Sequence, residues 1–215
     1  MIKAVIFDMD GVIVDSEPEL VKVEIEYMKD NGVKIVKEDI DEFVGTNSYY
    51  MWGELKERYN LNKSVEDLVT ENREKYLQHI QNSKNVKSVP GVIELIKALD
   101  ENGIKMVVAS SSPVSWIEKI IDTLDIRDYF QFLISGDYVE NSKPDPDIFL
   151  FALDKLGVDN KEALVIEDST NGVKAAIAAN IKVIGYKGDE TSNQDLSMAD
   201  KIIKSFDEIE LSKLI

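Results

Sequence analysis

From residue 88 onward the chain alternates helical and strand patterns, and its helices stop at residues suited to a sharp return. Residues 92–99 have the spacing of an amphipathic helix, ended by Asn102-Gly103, and an apolar strand at 104–109 follows. A helix is expected at 116–124, with Ser112 as its N-cap and Pro113 in the first turn. A strand at 132–135 precedes a helix at 148–156 that ends at Gly157. Then come a strand at 163–166, a helix at 173–179 and a strand at 182–186. Ile202 and Ile203 suit a short edge strand, and a closing helix is expected near 207–214. Gly103, Gly157 and Asn180 each stand between a helix and the next strand, where a left-handed residue is favoured. Repeated returns of this kind imply right-handed crossovers and a parallel sheet. The expected fold is α/β, a doubly wound parallel sheet.

Residues 15–81 break the pattern. They read as helices alone, roughly 17–31, 48–59 and 64–82. Leu20, Val23, Tyr27 and Met28 form one helical stripe; Val69, Tyr76, Leu77 and Ile80 form another. The expected organisation is an α/β core of residues 1–14 and 82–215, with a helical bundle at 15–81 inserted over the strand ends. The linkers fall near 14–16 and 81–89, and the chain has no low-complexity segment or internal repeat.

Composition removes several function classes. Net charge is −16, which argues against nucleic-acid binding, since that needs a basic face. An anionic substrate would therefore need local positive charge, from lysine or metal. There is no cysteine, so a disulfide framework and a thiolate site are both excluded. No apolar run approaches a membrane span, and the first residues enter a strand with no signal-peptide pattern. A cytoplasmic protein with no membrane partner is expected.

In a parallel sheet, sites form beyond the carboxyl ends of the strands. The apolar run Ala4-Val5-Ile6-Phe7 ends in Asp8-Met9-Asp10-Gly11. A carboxylate there can be a nucleophile toward phosphorus, and a second can act as general acid and base. Together they can hold magnesium, which prefers oxygen ligands. The strand at 104–109 ends in Ser110-Ser111-Ser112, Ser142-Lys143-Pro144-Asp145-Pro146 follows the third strand, and the strand at 163–166 ends in Glu167-Asp168. Each piece alone also reads as a turn, a helix cap or a surface lysine. Their joint placement at strand ends favours one site.

The string Phe7-Asp8-Met9-Asp10-Gly11-Val12-Ile13-Val14-Asp15-Ser16, the serines at 110–112, Lys143 in its proline-rich loop, and Glu167-Asp168-Ser169-x-x-Gly-Val-x-Ala-Ala occur in that order. They resemble the four motifs of the haloacid dehalogenase-like superfamily, over nearly the whole chain. The resemblance implies a Rossmann-like core and a helical cap of the β-phosphoglucomutase and sugar-phosphatase group. It makes Asp8 the nucleophile that becomes an aspartyl phosphate and Asp10 the general acid and base. Ser110, Ser111 and nearby backbone N–H groups would hold the phosphate, and Lys143 would neutralise it. Magnesium would be held by Asp8, Asp168 and the backbone carbonyl of Asp10, with Glu167 acting through water. Gathering four carboxylates also calls for a cation on physical grounds. The Lys143-Pro144 bond is cis in some relatives, which sequence alone does not decide.

Other chemistries lose ground on particular residues. The only histidine, His79, falls in an insert helix, so a Ser-His-Asp triad is poorly supported. There is no Gly-x-x-x-x-Gly-Lys-[Ser/Thr] string. The dehalogenase branch of the superfamily lacks the second aspartate, whereas Asp10 is present here. Phe43-Val44-Gly45-Thr46-Asn47-Ser48 resembles the cap loop that meets substrate, which makes Gly45, Thr46 and Asn47 candidate substrate contacts. Trp52 is a fourth candidate, though packing inside the insert is the favoured reading for it.

β-Phosphoglucomutases usually carry a histidine where this chain has Leu20, and an arginine for a second phosphate where it has Ser48. Asp15-Ser16-Glu17-Pro18 is instead similar to the sugar-phosphate phosphatases. The reading is therefore a monomeric, magnesium-dependent phosphatase of small sugar phosphates. A β-phosphoglucomutase, with Arg73 or Lys75 replacing the missing arginine, is the alternative. A catalytically silent binding protein on the same fold is a third reading.

Overall fold

The structure is a computed structural model. It describes residues 1–43, 46, 48–82, 86–188 and 194–213, and side chains within those spans except at 17, 18, 80–82 and 213. Among the described residues six strands form one parallel sheet in the order β3-β2-β1-β4-β5-β6. The strands are β1 Ala4–Phe7, β2 Lys105–Ser110, β3 Phe132–Ser135, β4 Ala163–Glu167, β5 Lys182–Tyr186 and β6 Lys201–Ile203. Every pairing is parallel. The doubly wound α/β fold expected from the sequence is therefore present.

The strands are apolar throughout because both faces are covered. Along β1, Val5 and Phe7 point to one side and pack with α4 (Val92–Glu101) and α5 (Val114–Thr123). Ala4 and Ile6 point to the other and pack with α6 (Asp147–Leu156) and α7 (Thr170–Ala178). The helices return as expected: Gly157 and Asn180 take φ of 63° and 56°.

The insert folds as α1 Glu17–Asp30, α2 Ser48–Tyr59 and α3 Val65–Asn82. Tyr27, Met28, Trp52, Leu55 and Leu68 make its own apolar cluster. Val14 and Ser88 form an antiparallel bridge, so the chain leaves and re-enters the α/β layer at one place. Tyr76 of α3 stacks on Trp116 of α5, ring centroids 3.5 Å apart, which ties the insert to the sheet's helices.

Two local expectations are corrected. Among the described residues, 207–213 do not form the closing helix expected near 207–214. Two 3-10 turns, Phe206–Glu208 and Leu211–Lys213, take their place. Ser205 and Glu208 close the first turn as a capping box, and Ile209 then turns extended. Ser112 is not the N-cap of α5; Pro113 holds that position, without a side-chain cap. The Ser112 hydroxyl is used elsewhere, as described below.

Candidate active site

The sheet order reverses beside β1: the chain steps from β1 to β2 and β3, then crosses to β4 on the other side. Open α/β sheets bind ligands at such a switch point. Phe7 pairs with both Val108 and Ile166, and the Asp8 N–H donates to the Ile166 carbonyl at 3.0 Å. That register sets Asp8, Ala109 and Glu167 at one level, just past the strands.

The Lys143 ammonium reaches into this level from the loop after β3. It donates to Asp8 Oδ1 at 2.6 Å, Glu167 Oε1 at 2.7 Å and the Ala109 carbonyl at 3.1 Å. All three of its donors thus have partners. Lys143 and Glu167 are 4% and 1% exposed, so the pairs are desolvated. Burial opposes the lysine's charge, but Asp8 and Glu167 outweigh it and raise its pKa above the ordinary value. The Lys143-Pro144 peptide is cis. For Asp8, burial dominates; despite Lys143 it lifts the carboxyl to about 8, with Glu167 and Asp10 adding repulsion.

Asp10 is dressed by serines. Ser16 Oγ donates to its Oδ1 at 2.5 Å; Ser112 and Ser110 donate to its Oδ2 at 2.7 and 3.3 Å. Burial raises its pKa and these hydroxyls only partly offset that. A carboxyl whose proton is retained more firmly than usual suits an acid that later acts as base. Ser110 Oγ also accepts from the Ser112 N–H at 3.0 Å, and Ser111 lines the same space. Sequence reasoning gave Ser112 to a helix cap; only the placement of Ser110 and Ser112 against Asp10 shows its other use.

Both oxygens of Glu167 have protein partners. Oε1 is taken by Lys143, and Oε2 accepts from the Ser169 N–H at 2.8 Å and its hydroxyl at 2.9 Å. Ser169 Oγ in turn accepts from the Gly172 N–H at 3.0 Å and caps α7. Gly172 has no side chain because Glu167 fills that space: a Cβ there would lie 1.7 Å from Glu167 Oε1 and 1.8 Å from its Cδ. Gly172→Ala is expected to lower stability by about 1–3 kcal/mol through this overlap. Urea unfolding would show it as a lower midpoint with an unchanged slope.

Asp168 lies on the other side of the motif. A Cβ on Gly11, which turns at φ 80°, would sit 1.9 Å from Asp168 Oδ2. The carboxylate is thus seated directly against the Asp8–Gly11 loop. Among the described residues it takes no hydrogen bond or ion pair. Burial, then repulsion from Glu167 and Asp8, pushes its pKa well above the ordinary range. Among the described residues no three His, Cys, Asp or Glu side chains form a complete metal cage. The set expected for magnesium has two carboxylate side chains and one carbonyl, so half of an octahedral shell would be water or phosphate.

A cavity of about 160 Å³ lies between the strand ends and the insert. Asp8, Asp10, Ser110, Ser111, Lys143, Glu167 and Asp168 line it from the sheet. From the insert come Glu24, Thr46, Ser48, Asn72 and Arg73, with Leu20 and Met51. Thr46 therefore reaches the site, its hydroxyl donating to the Phe43 carbonyl at 2.6 Å. Gly45 and Asn47 lie outside the described residues. Trp52 does not line the cavity: it is fully buried, edge-on to Tyr27 with centroids 5.2 Å apart. That corrects its candidacy as a substrate contact in favour of packing. His79 bonds Glu19 at 2.5 Å, within the insert. Glu24 and Asn72 were not singled out from the sequence, because polar residues on amphipathic helices ordinarily mark the solvent face.

A parallel sheet with paired aspartates, a buried lysine and an acidic pair at its switch point defines a phosphoryl-transfer enzyme of one family. The family model for haloacid dehalogenase-like hydrolases matches residues 5–186, and the chain belongs to that family. Hexitol phosphatase B of Escherichia coli (strain K12) is 30% identical over 217 residues, covering 100% of this chain and 97% of that protein. Among solved structures, CbbY from Rhodobacter sphaeroides in complex with xylulose-(1,5)bisphosphate is similar, with TM-score 0.90, 25% identity, and 100% and 99% of the two chains covered. The β-phosphoglucomutase of Clostridium difficile is similar too, with TM-score 0.87, 25% identity and coverage of 100% and 96%. Among the described residues no helix is long and apolar enough to cross a membrane.

Proposed function

We propose that this chain is a magnesium-dependent phosphatase of small phosphorylated sugars, working through an aspartyl phosphate on Asp8. The observation that carries it is Asp8 at the switch point, paired to Lys143 at 2.6 Å with Asp10 two residues on. An Asp8 oxygen attacks phosphorus, the ester P–O bond breaks, and Asp10 gives its proton to the leaving sugar oxygen. Asp10 then takes a proton from water as that water attacks phosphorus, and the P–O bond to Asp8 breaks. Lys143 balances negative charge through both steps, and Ser110 and Ser111 orient the phosphate. Glu167 holds Lys143 in place. Residues 15–81 serve as a cap that excludes bulk water and selects the leaving group. The proposal takes the enzyme as a cytoplasmic monomer, its lid supplied by its own chain.

The donor set fits magnesium. Asp8 and Asp168 offer hard oxygen ligands, and the unpartnered Asp168 carboxylate faces the Asp8–Gly11 loop. When bound, the ion supplies positive charge for the phosphate oxygens. Its binding should be visible as a pH effect on stability. The folded-state pKa of Asp8, about 8, lies above the ordinary carboxylate value of about 3.9. Between those limits the folded protein holds protons that the unfolded chain has lost. Metal-free stability is therefore expected to fall as pH rises from 5 to 8. Magnesium needs the ionised carboxylates, so it should raise Tm more at pH 8 than at pH 5.5. An equal magnesium shift at both pH values would count against this site.

The functional test is inorganic phosphate release with magnesium across hexose, pentose and hexitol phosphates, with Asp8→Asn as control. Release that depends on Asp8 supports the phosphatase. The mutase reading is favoured by Arg73 in the cavity lining. Conversion of β-glucose 1-phosphate to glucose 6-phosphate after bisphosphate priming, without net phosphate release, would select it.

A further inference from the structure

Among the described residues, five buried side-chain polar atoms lack a hydrogen-bond partner: Asp41 Oδ1, Trp52 Nε1, Asn72 Nδ2, Arg73 Nε and Trp116 Nε1. Asn72, Arg73 and Trp116 all line the cavity, and all three of their orphaned atoms are N–H donors. Buried polar groups are nearly always paired, so unpaired donors gathered at one cavity imply an oxygen-rich ligand. Asn72, on α3, is 8% exposed.

Charge narrows the ligand further. Glu24, 9% exposed, lines the same cavity from α1. The Arg73 guanidinium donates to the two Asp137 oxygens at 3.2 and 3.4 Å, so its charge is matched within the protein. Among the described residues, the insert side of the cavity thus offers donors and an acidic residue, without an unmatched cation of the kind a second phosphate would require.

We propose that Asn72 and Glu24 are specificity-determining residues that read hydroxyl groups of the leaving group. Asn72 Nδ2 donates to a hydroxyl oxygen, and the Glu24 carboxylate accepts a hydrogen bond from a hydroxyl group. Glu24 also repels a second phosphate. The substrate class is a single-phosphate ester of a neutral, polyhydroxylated compound. This rests on the phosphatase reading and deepens it by naming what the insert recognises.

The test compares kcat/KM on glucitol 6-phosphate, glucose 6-phosphate, glucose 1,6-bisphosphate and para-nitrophenyl phosphate, which has no hydroxyl to read. Asn72→Asp keeps size and removes the donor; Asn72→Leu removes the amide. Both should lower the ratio of hexitol or hexose phosphate to para-nitrophenyl phosphate at least about tenfold. Glu24→Gln should raise the ratio of bisphosphate to monophosphate about tenfold. Ratios unchanged in all three variants would overturn the inference while leaving the phosphatase intact. A wild-type enzyme that releases phosphate from none of these substrates would remove the phosphatase reading itself. Calorimetry in the Asp8→Asn background decides the inference even then. Asn72→Asp should weaken glucitol 6-phosphate at least about tenfold more than inorganic phosphate, and equal weakening would overturn it.

Discussion

Asp8→Asn is expected to reduce turnover about 10⁴-fold or more, with the fold intact. An amide oxygen is a poor nucleophile toward phosphorus, and the other carboxylate that Lys143 meets, Glu167, already has one oxygen bonded to Lys143 and the other to Ser169. The fold survives because of the balance at this position. Burial already disfavours the ionised Asp8 carboxyl, so a neutral side chain of the same shape removes an unfavourable charge. Lys143 keeps Glu167 and the Ala109 carbonyl. The metal-free variant should therefore match or exceed the wild-type Tm at pH 8. Its Tm should also fall less steeply between pH 5 and 8. A steady-state assay, with Tm read on the same preparation, checks both halves. Turnover within about tenfold of wild type would remove Asp8 from the mechanism.

Lys143→Met should damage stability and turnover together. The substitution leaves Asp8 and Glu167 without their shared cation, and Glu167 is 1% exposed. Breaking a buried pair by removing one partner costs about 3–5 kcal/mol, because the remaining charge is stranded. Glu167 must then bind a proton or draw in water, either of which loosens the Ser169–Gly172 turn that it anchors. Glu167→Gln in the Lys143→Met background should restore part of the loss. A double-mutant cycle on urea midpoints measures the coupling, which should be favourable by at least about 1 kcal/mol. Additive losses would mean that the two residues do not act as a unit.

The sheet and its catalytic edge were legible because their signals are local. A run such as Ala4-Val5-Ile6-Phe7 declares a strand buried on both faces, and its end fixes where Asp8 must stand. Lys143 was legible only through its loop and its order among the motifs; its three partners come from separate strands. What stayed hidden depends on how the insert meets the sheet. Asn72 and Glu24 sit on amphipathic helices, where period alone cannot tell a cavity face from a solvent face. Gly172 looked like any small helical residue until the Glu167 carboxyl was seen in the space of its missing Cβ. Ser112 fitted a helix cap as well as it fitted Asp10. Trp52, beside the expected substrate loop in sequence, points into the bundle because α2 turns its apolar stripe, Trp52 and Leu55, toward Tyr27 and Leu68. The C-terminal stretch failed for another reason: a capping box that closes after one turn carries the same start signal as a full helix.

The most direct measurement is rapid quenching of the wild-type enzyme with its best sugar phosphate and magnesium, followed by peptide mass mapping. The account predicts one phosphoryl group on the peptide carrying Asp8, formed and lost at rates compatible with turnover and absent in Asp8→Asn. Full turnover with no phosphorylated peptide at any time, or with the phosphoryl group on another residue, would contradict it.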